Sequence, residues 1–234
     1  MNKKYFSKLE VKIFEWVFER KLKSYVTDDY KYFNNLEEIS AWAFDSTNYF
    51  DKLKEVSQKT FYVGENQELK EVDVLDRYCG WGYLRINDYL RGNEIRIVFE
   101  NSIEYLEKDI CLLENVLNKF KLKESLICVR RTGRCFVENY KPGDFFVEKG
   151  FLSTSLNAFN RLDKNGEHRD LKREALIIFR VQKGVSALYV EEIQPEDNRK
   201  NEYELLVNRE AKIRIVSNTK ILSNRILLAE IIND

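Results

Sequence analysis

Three short stretches of this chain carry the side chains best suited to chemistry, and each has a plain structural alternative. In "ICVRRTGR", residues 127 to 134, Arg130 and Arg131 end an apolar run. A guanidinium at a strand end is a rigid planar fork that grips a phosphate through two hydrogen bonds, and it equally makes ordinary surface ion pairs. In "GFLSTSLN", residues 150 to 157, an extended backbone puts Ser153 and Ser155 on one face and Thr154 on the other. Two hydroxyls then line one side of a sheet, unless they are spent on backbone groups. In "KNEYELLVNREAKIRIVS", residues 200 to 217, Glu202 and Glu204 stand two apart ahead of an apolar run. On one strand they would share a face, and like charges that close raise one another's pKa. Either that edge is wet or the pair has a task.

Other chemistries find little support. There is no G-x-x-x-x-G-K-[ST] loop, and "GWGYLR" at Gly80 has two of the three glycines of a dinucleotide fingerprint and follows a helical pattern in place of a strand. The single histidine, His168, lies in the polar run "DKNGEHRD", which disfavours a serine or cysteine nucleophile activated by histidine. Cys79, Cys111, Cys128 and Cys135 form no C-x-x-C pair, so free buried thiols are expected and no metal site is.

These stretches must be held by the elements around them. The first half shows helical spacing at Phe6, Leu9, Ile13, Trp16 and Val17, at Leu36, Ile39 and Ala43, and from Phe99 through Ile103, Leu106, Ile110, Leu113 and Leu117. Each stripe is expected to be a core face. From about Leu126 the texture changes to short β-rich runs: "SLICVRR", "DFFVEKGFLSTS", "EALIIFRVQ", "SALYVEE", "EYELLVN", "AKIRIVS" and "RILLAEIIN". No helical pattern separates these runs, so a doubly wound parallel sheet is disfavoured and the fold class is α+β. With 234 residues, 44% hydrophobic and 33% charged, and no Pro/Gly/Ser-rich linker, one domain over 1–234 is expected. Its parts would be a helical part over 1–120 and a β-rich core over 121–234.

Lys plus Arg and Asp plus Glu both number 39, so no net field draws the chain to nucleic acid or membrane. The charged start lacks a signal peptide's apolar stretch, and no segment approaches the roughly 20 apolar residues of a membrane span. The chain therefore reads as cytoplasmic where it is made, with no membrane partner.

Taken in order, an arginine at a strand end, Ser-Thr-Ser on a strand and Glu-x-Glu at a strand start resemble the mono-ADP-ribosyltransferases of the R-S-E class, the binary-toxin-like and arginine-specific enzymes. "VRRTG" is similar to the family's arginine strand, "PGDFFVEKGFLSTSL" to its approach to Ser-Thr-Ser, and "ALIIFRVQKGVSALYVEE" with "NEYELLVNREAKIRIVS" to its closing strands. "RYCGWGYLRINDYLRG" resembles the helix that covers the NAD cleft. The likeness spans roughly residues 75 to 232.

The resemblance implies an ADP-ribosyltransferase-like fold, a helical N-terminal half packed on a split mixed or antiparallel sheet, and NAD as substrate without a metal. It implies Glu204 as the catalytic carboxylate at the ribose, Ser153 as the residue that holds Glu204, Arg130 as the NAD anchor with Arg131 as helper, and Glu202 facing the acceptor. An oxocarbenium-like ribosyl cation is the kind of state that needs a carboxylate beside the sugar. The family's phosphate–nicotinamide loop falls on "LNAFNRLDKNGEHRD", where Phe159 would stack on nicotinamide and Arg161 reach phosphate, with Tyr83 lining the cleft.

Glu-x-Glu in this family implies a protein arginine as acceptor; a nucleic-acid base, simple NAD hydrolysis and a non-catalytic interaction module are the alternatives. The chain departs from the binary toxins at Val129, where they usually have tyrosine, and in the polar loop "QPEDNRKN" ahead of Glu-x-Glu, which bears on the acceptor. With no further domain apparent, the chain is expected to act in the cell that makes it, with an antitoxin or immunity partner, or to be delivered by separate machinery.

Overall fold

The computed structural model describes residues 8–45, 60–63, 67–94, 102–158, 174–190 and 202–233. Among these residues two helices come first, α1 (Lys8–Tyr25) and α2 (Leu36–Asp45), then a hairpin of β1 (Thr60–Val63) and β2 (Gln67–Lys70). Helix α3 (Glu71–Arg77) leads through Tyr78–Gly82, kinked at the non-helical Gly80, into α4 (Tyr83–Arg91), and α5 (Ser102–Asn118) follows. The strands are β3 (Leu126–Gly133), β4 (Phe145–Glu148), β5 (Leu152–Ser155), β6 (Glu174–Val181), β7 (Ala187–Tyr189), β8 (Glu204–Val207), β9 (Ala211–Ile221) and β10 (Asn224–Ile232). All seven β-rich runs contain strand. The hairpin inside the helical half was not visible in the periodicity, since its strands are only four residues each.

Strand order is β4-β9-β10-β6-β3-β5-β8-β7, antiparallel throughout except for β6 beside β10. The sheet is mixed, and it is split. β3 pairs with β6 over eight positions, from Leu126↔Val181 to Gly133↔Glu174, but with β5 only at Val129↔Ser155. Five strands therefore lie on one side of a one-pair seam and three on the other. One core cluster draws on both halves, with Cys128, Phe179 and Leu227 from the long one and Leu152, Leu205 and Val207 from the short one.

The outer faces are covered by helices. On the short half, Tyr78, Leu106, Leu113 and Leu117 of the α3–α5 segment cluster with Phe151, Leu188 and Leu206. On the long half, α1 buries Phe14, Phe18, Leu22 and Tyr25 against Ile127, Ile178, Ile226 and Leu228. This overturns the expected face of α1: Leu9, Ile13 and Trp16 are exposed, and Arg20 stacks on the Trp16 ring. The helix carries two apolar stripes, and the one with Phe14, Phe18 and Tyr25 buries more area, at about 1.5–3 kcal/mol for each large side chain. The cysteines are free as expected, but only Cys79 and Cys128 are buried, while Cys111 and Cys135 are exposed.

Candidate active site at the seam of the sheet

In an antiparallel strand, backbone groups point to the two sides alternately. The Leu156 amide donates to Tyr203 O at 2.9 Å, so the even-numbered residues of β5 face β8 and the odd-numbered ones face β3. Where β3 diverges, Ser153 and Phe151 lose the strand partner that would have satisfied them. A buried backbone group without a partner costs about as much as a lost hydrogen bond, so side chains must replace the missing strand.

Arg130 supplies one replacement. Its Nη1 donates to the Ser153 carbonyl across the seam. The guanidinium is half-buried. Burial pushes its pKa down, with Arg91 acting the same way, while Tyr78, Glu148 and Glu204 pull it back up. The guanidinium is thus partly dry, with a phenol and two carboxylates near enough to act on its charge. Arg131, one residue on, points to the other face of β3, where it is half-buried and in register with Leu176.

Glu204 opens β8 directly opposite Ser155 and is only 7% exposed. The face it shares with Leu206 also carries Ser153 and Ser155, as the Ser-Thr-Ser pattern suggested, while Thr154 turns away and its hydroxyl donates to Leu205 O at 2.8 Å. Across this face lies Tyr78, whose phenol is held well above its usual range by burial first, and then by the Glu204 charge.

The two glutamates do not form the side-by-side strand pair expected of their spacing. Tyr203 between them has φ 49, in the left-handed region, so the strand starts only at Glu204 and the two-residue alternation does not reach Glu202. Glu202 is exposed where Glu204 is buried. The bend is held from both sides, by Leu156 N on Tyr203 O and by the Ser155 hydroxyl, which donates to Glu202 O at 2.7 Å and accepts from Asn157 N at 3.1 Å. A non-glycine residue keeps such a conformation only where its surroundings over-determine it. One carboxylate thus faces the cleft and the other faces solvent.

The α3–α4 segment closes the cleft with residues the spacing argument did not single out. Asn87, 7% exposed on α4, accepts from Phe151 N on Oδ1 at 2.9 Å and donates from Nδ2 to Phe151 O at 3.2 Å and to the Tyr78 hydroxyl at 3.0 Å. Arg91 pairs with Glu148 at 3.0 Å, and the same carboxylate oxygen accepts from Gly150 N at 2.9 Å. All lie within stretches already notable for "RINDYLR" and "FVEKGF". Tyr83 stands 43% exposed at the start of α4. Phe159 and Arg161 lie outside the described residues. Among the described residues no three His, Cys, Asp or Glu side chains gather as metal ligands would, and no helix is long and apolar enough to cross a membrane.

Residues 53–232 match the protein family described as ADP-ribosyltransferase exoenzyme. Among solved structures, Plx2a, an ADP-ribosyltransferase toxin from Paenibacillus larvae, is 22% identical, with a TM-score of 0.62 over 84% of this chain and 96% of that one. The Clostridium limosum C3 exoenzyme is 20% identical, with a TM-score of 0.64 over 88% and 98%. BECa, an ADP-ribosylating toxin of a binary enterotoxin of C. perfringens solved with NADH, is 23% identical, with a TM-score of 0.65 over 85% of this chain and 49% of that one. At these identities the likeness is one of fold. Comparison with curated proteins by sequence gives no match.

Proposed function

The chain belongs to the ADP-ribosyltransferase exoenzyme family and is an NAD-dependent ADP-ribosyltransferase, and from that premise we propose that the seam is its active site and a protein arginine its acceptor. The observation that carries the reading is the convergence of Arg130, Ser153 and Glu204 where β3 leaves β5. The BECa fold, seen with NADH, supports a nicotinamide dinucleotide in the corresponding cleft.

Each group has a part. Arg130, already anchored by one nitrogen on Ser153 O, has donors left for a phosphate or ribose oxygen. Glu204 faces the ribose and stabilises positive charge as the bond to nicotinamide lengthens; the near-dry face around it makes that charge worth more than it would be in water. Ser153, on the same face, orients Glu204. Glu202, outside the cleft and exposed, meets the incoming arginine and orients or deprotonates it. Phe159, Arg161, Arg131 and Tyr83 remain candidates for the nicotinamide and phosphate contacts.

The test is to incubate the protein with lysate and labelled NAD and then treat with protease or nuclease. We expect protease to release the label and neutral hydroxylamine to cleave it as it does an arginine glycoside. Label removed by nuclease would instead make a nucleic-acid base the acceptor.

A further inference from the structure

We propose that Asn87 is a positioning residue for this reaction: its side-chain amide replaces the strand that β5 loses at the seam, and so sets where Ser153 and Arg130 stand. The proposal rests on the reading of the seam as the active site. A neighbouring antiparallel strand would accept from Phe151 N and donate to Phe151 O, and the Asn87 amide does both from a helix. The Tyr78 hydroxyl, which accepts from Asn87 Nδ2, adds a second donor to Phe151 O at 3.3 Å. Phe151 is two residues before Ser153 on the same strand edge, so the fixed point lies next to the carbonyl that anchors Arg130.

The fit leaves no slack. A Cβ on Gly150 would stand 2.6 Å from Asn87 Oδ1, so any other residue there would push the amide from its place. Asn87 and Tyr78 are 7% and 1% exposed, and their polar atoms are engaged with Phe151 and with each other. Their action therefore runs through β5.

The discriminating variant is Asn87→Asp. As a carboxylate the new side chain still accepts from Phe151 N but sets an oxygen against Phe151 O. Once protonated, it has one acceptor and one donor, which match Phe151 N and Phe151 O and forgo only the second N–H that the amide gives to the Tyr78 hydroxyl. Burial raises a carboxyl pKa, so the clamp is broken above that raised value and restored below it.

The experiment compares kcat and KM for nicotinamide release from NAD by Asn87→Asp and wild type from about pH 8 to about pH 5.5. At the upper end kcat should fall on the order of ten- to a hundredfold, as expected of a small displacement of catalytic groups, with KM for NAD nearly unchanged. The ratio of variant to wild-type kcat should climb as the pH falls. A ratio that stays flat with pH, or a loss confined to KM, overturns the proposal. Should Asn87→Asp not fold, Tyr78→Phe serves, with a severalfold drop in kcat expected and a pure KM effect overturning the idea. A wild type that releases no nicotinamide at any pH would instead sink the functional reading beneath it, a result seen without any variant.

Discussion

The two sides of β3 are built on opposite terms. Toward β6 the strand is paired at eight successive positions and backed by buried Phe179, Ile178 and Leu126; toward β5 it touches at one pair and then parts. On the ladder side the backbone satisfies itself, and side chains need only be apolar and of the right volume. On the seam side, the groups a strand would have satisfied are met by Arg130 and Asn87, so residue identity matters there. On the proposed reading, stability is concentrated in the ladder and chemistry in the gap.

The sharpest way to break that division is from the ladder side. Phe179→Ala, at a 2% exposed position, should cost about 3–5 kcal/mol of unfolding free energy by urea denaturation, yet leave kcat per folded molecule unaltered. A large fall in kcat with little loss of stability would show that the ladder also tunes the site. From the seam side, Arg130→Lys replaces a fork by a point charge, and NAD affinity by calorimetry should drop by about 1–3 kcal/mol, with small change in stability. Arg131→Lys, on the other face of β3, should leave affinity within a few-fold; the reverse ranking would move the anchor to Arg131.

The smallest expected effects separate the two serines. Ser155→Ala frees the Glu202 carbonyl and should cost about 1 kcal/mol, read as a lower melting temperature. Ser153→Ala should lower turnover more than NAD affinity, since a misplaced Glu204 weakens the transition state more than the ground state. If Ser155→Ala is the variant that loses turnover with its stability intact, the orienting role passes to Ser155.

The same division explains what could be read in advance. The ladder strands were legible because β-branched and apolar runs of this kind have few other ways to be buried. The order of arginine, serine and glutamate was legible because each lies in a short local motif, but Arg130 and Arg131 fall inside β3, which runs on to Gly133, and not at a strand end as expected. What stayed hidden depends on contacts distant in sequence. The bend at Tyr203 is imposed by Ser155 and Leu156 from another strand, so two-residue alternation misplaced Glu202 relative to Glu204. The burial of Phe14 and Phe18 in preference to Leu9 and Trp16 was settled by what lies beneath α1, since both stripes have helical spacing. Asn87 could be recognised only once Phe151, 64 residues away, was seen to lack a strand partner.

If the seam-facing carboxylate cleaves NAD while the exposed one serves the acceptor, one paired assay shows it most directly. Nicotinamide release without acceptor and label incorporation with an arginine acceptor would be measured for Glu204→Gln and Glu202→Gln. Glu204→Gln should lose both activities, release falling on the order of 10²–10³-fold for the loss of a group facing developing charge. Glu202→Gln should keep much of the release while losing incorporation. Loss of both activities to the same degree in Glu202→Gln would contradict the account, because it would put the exposed glutamate in the NAD site and remove the division of labour that its position outside β8 implies.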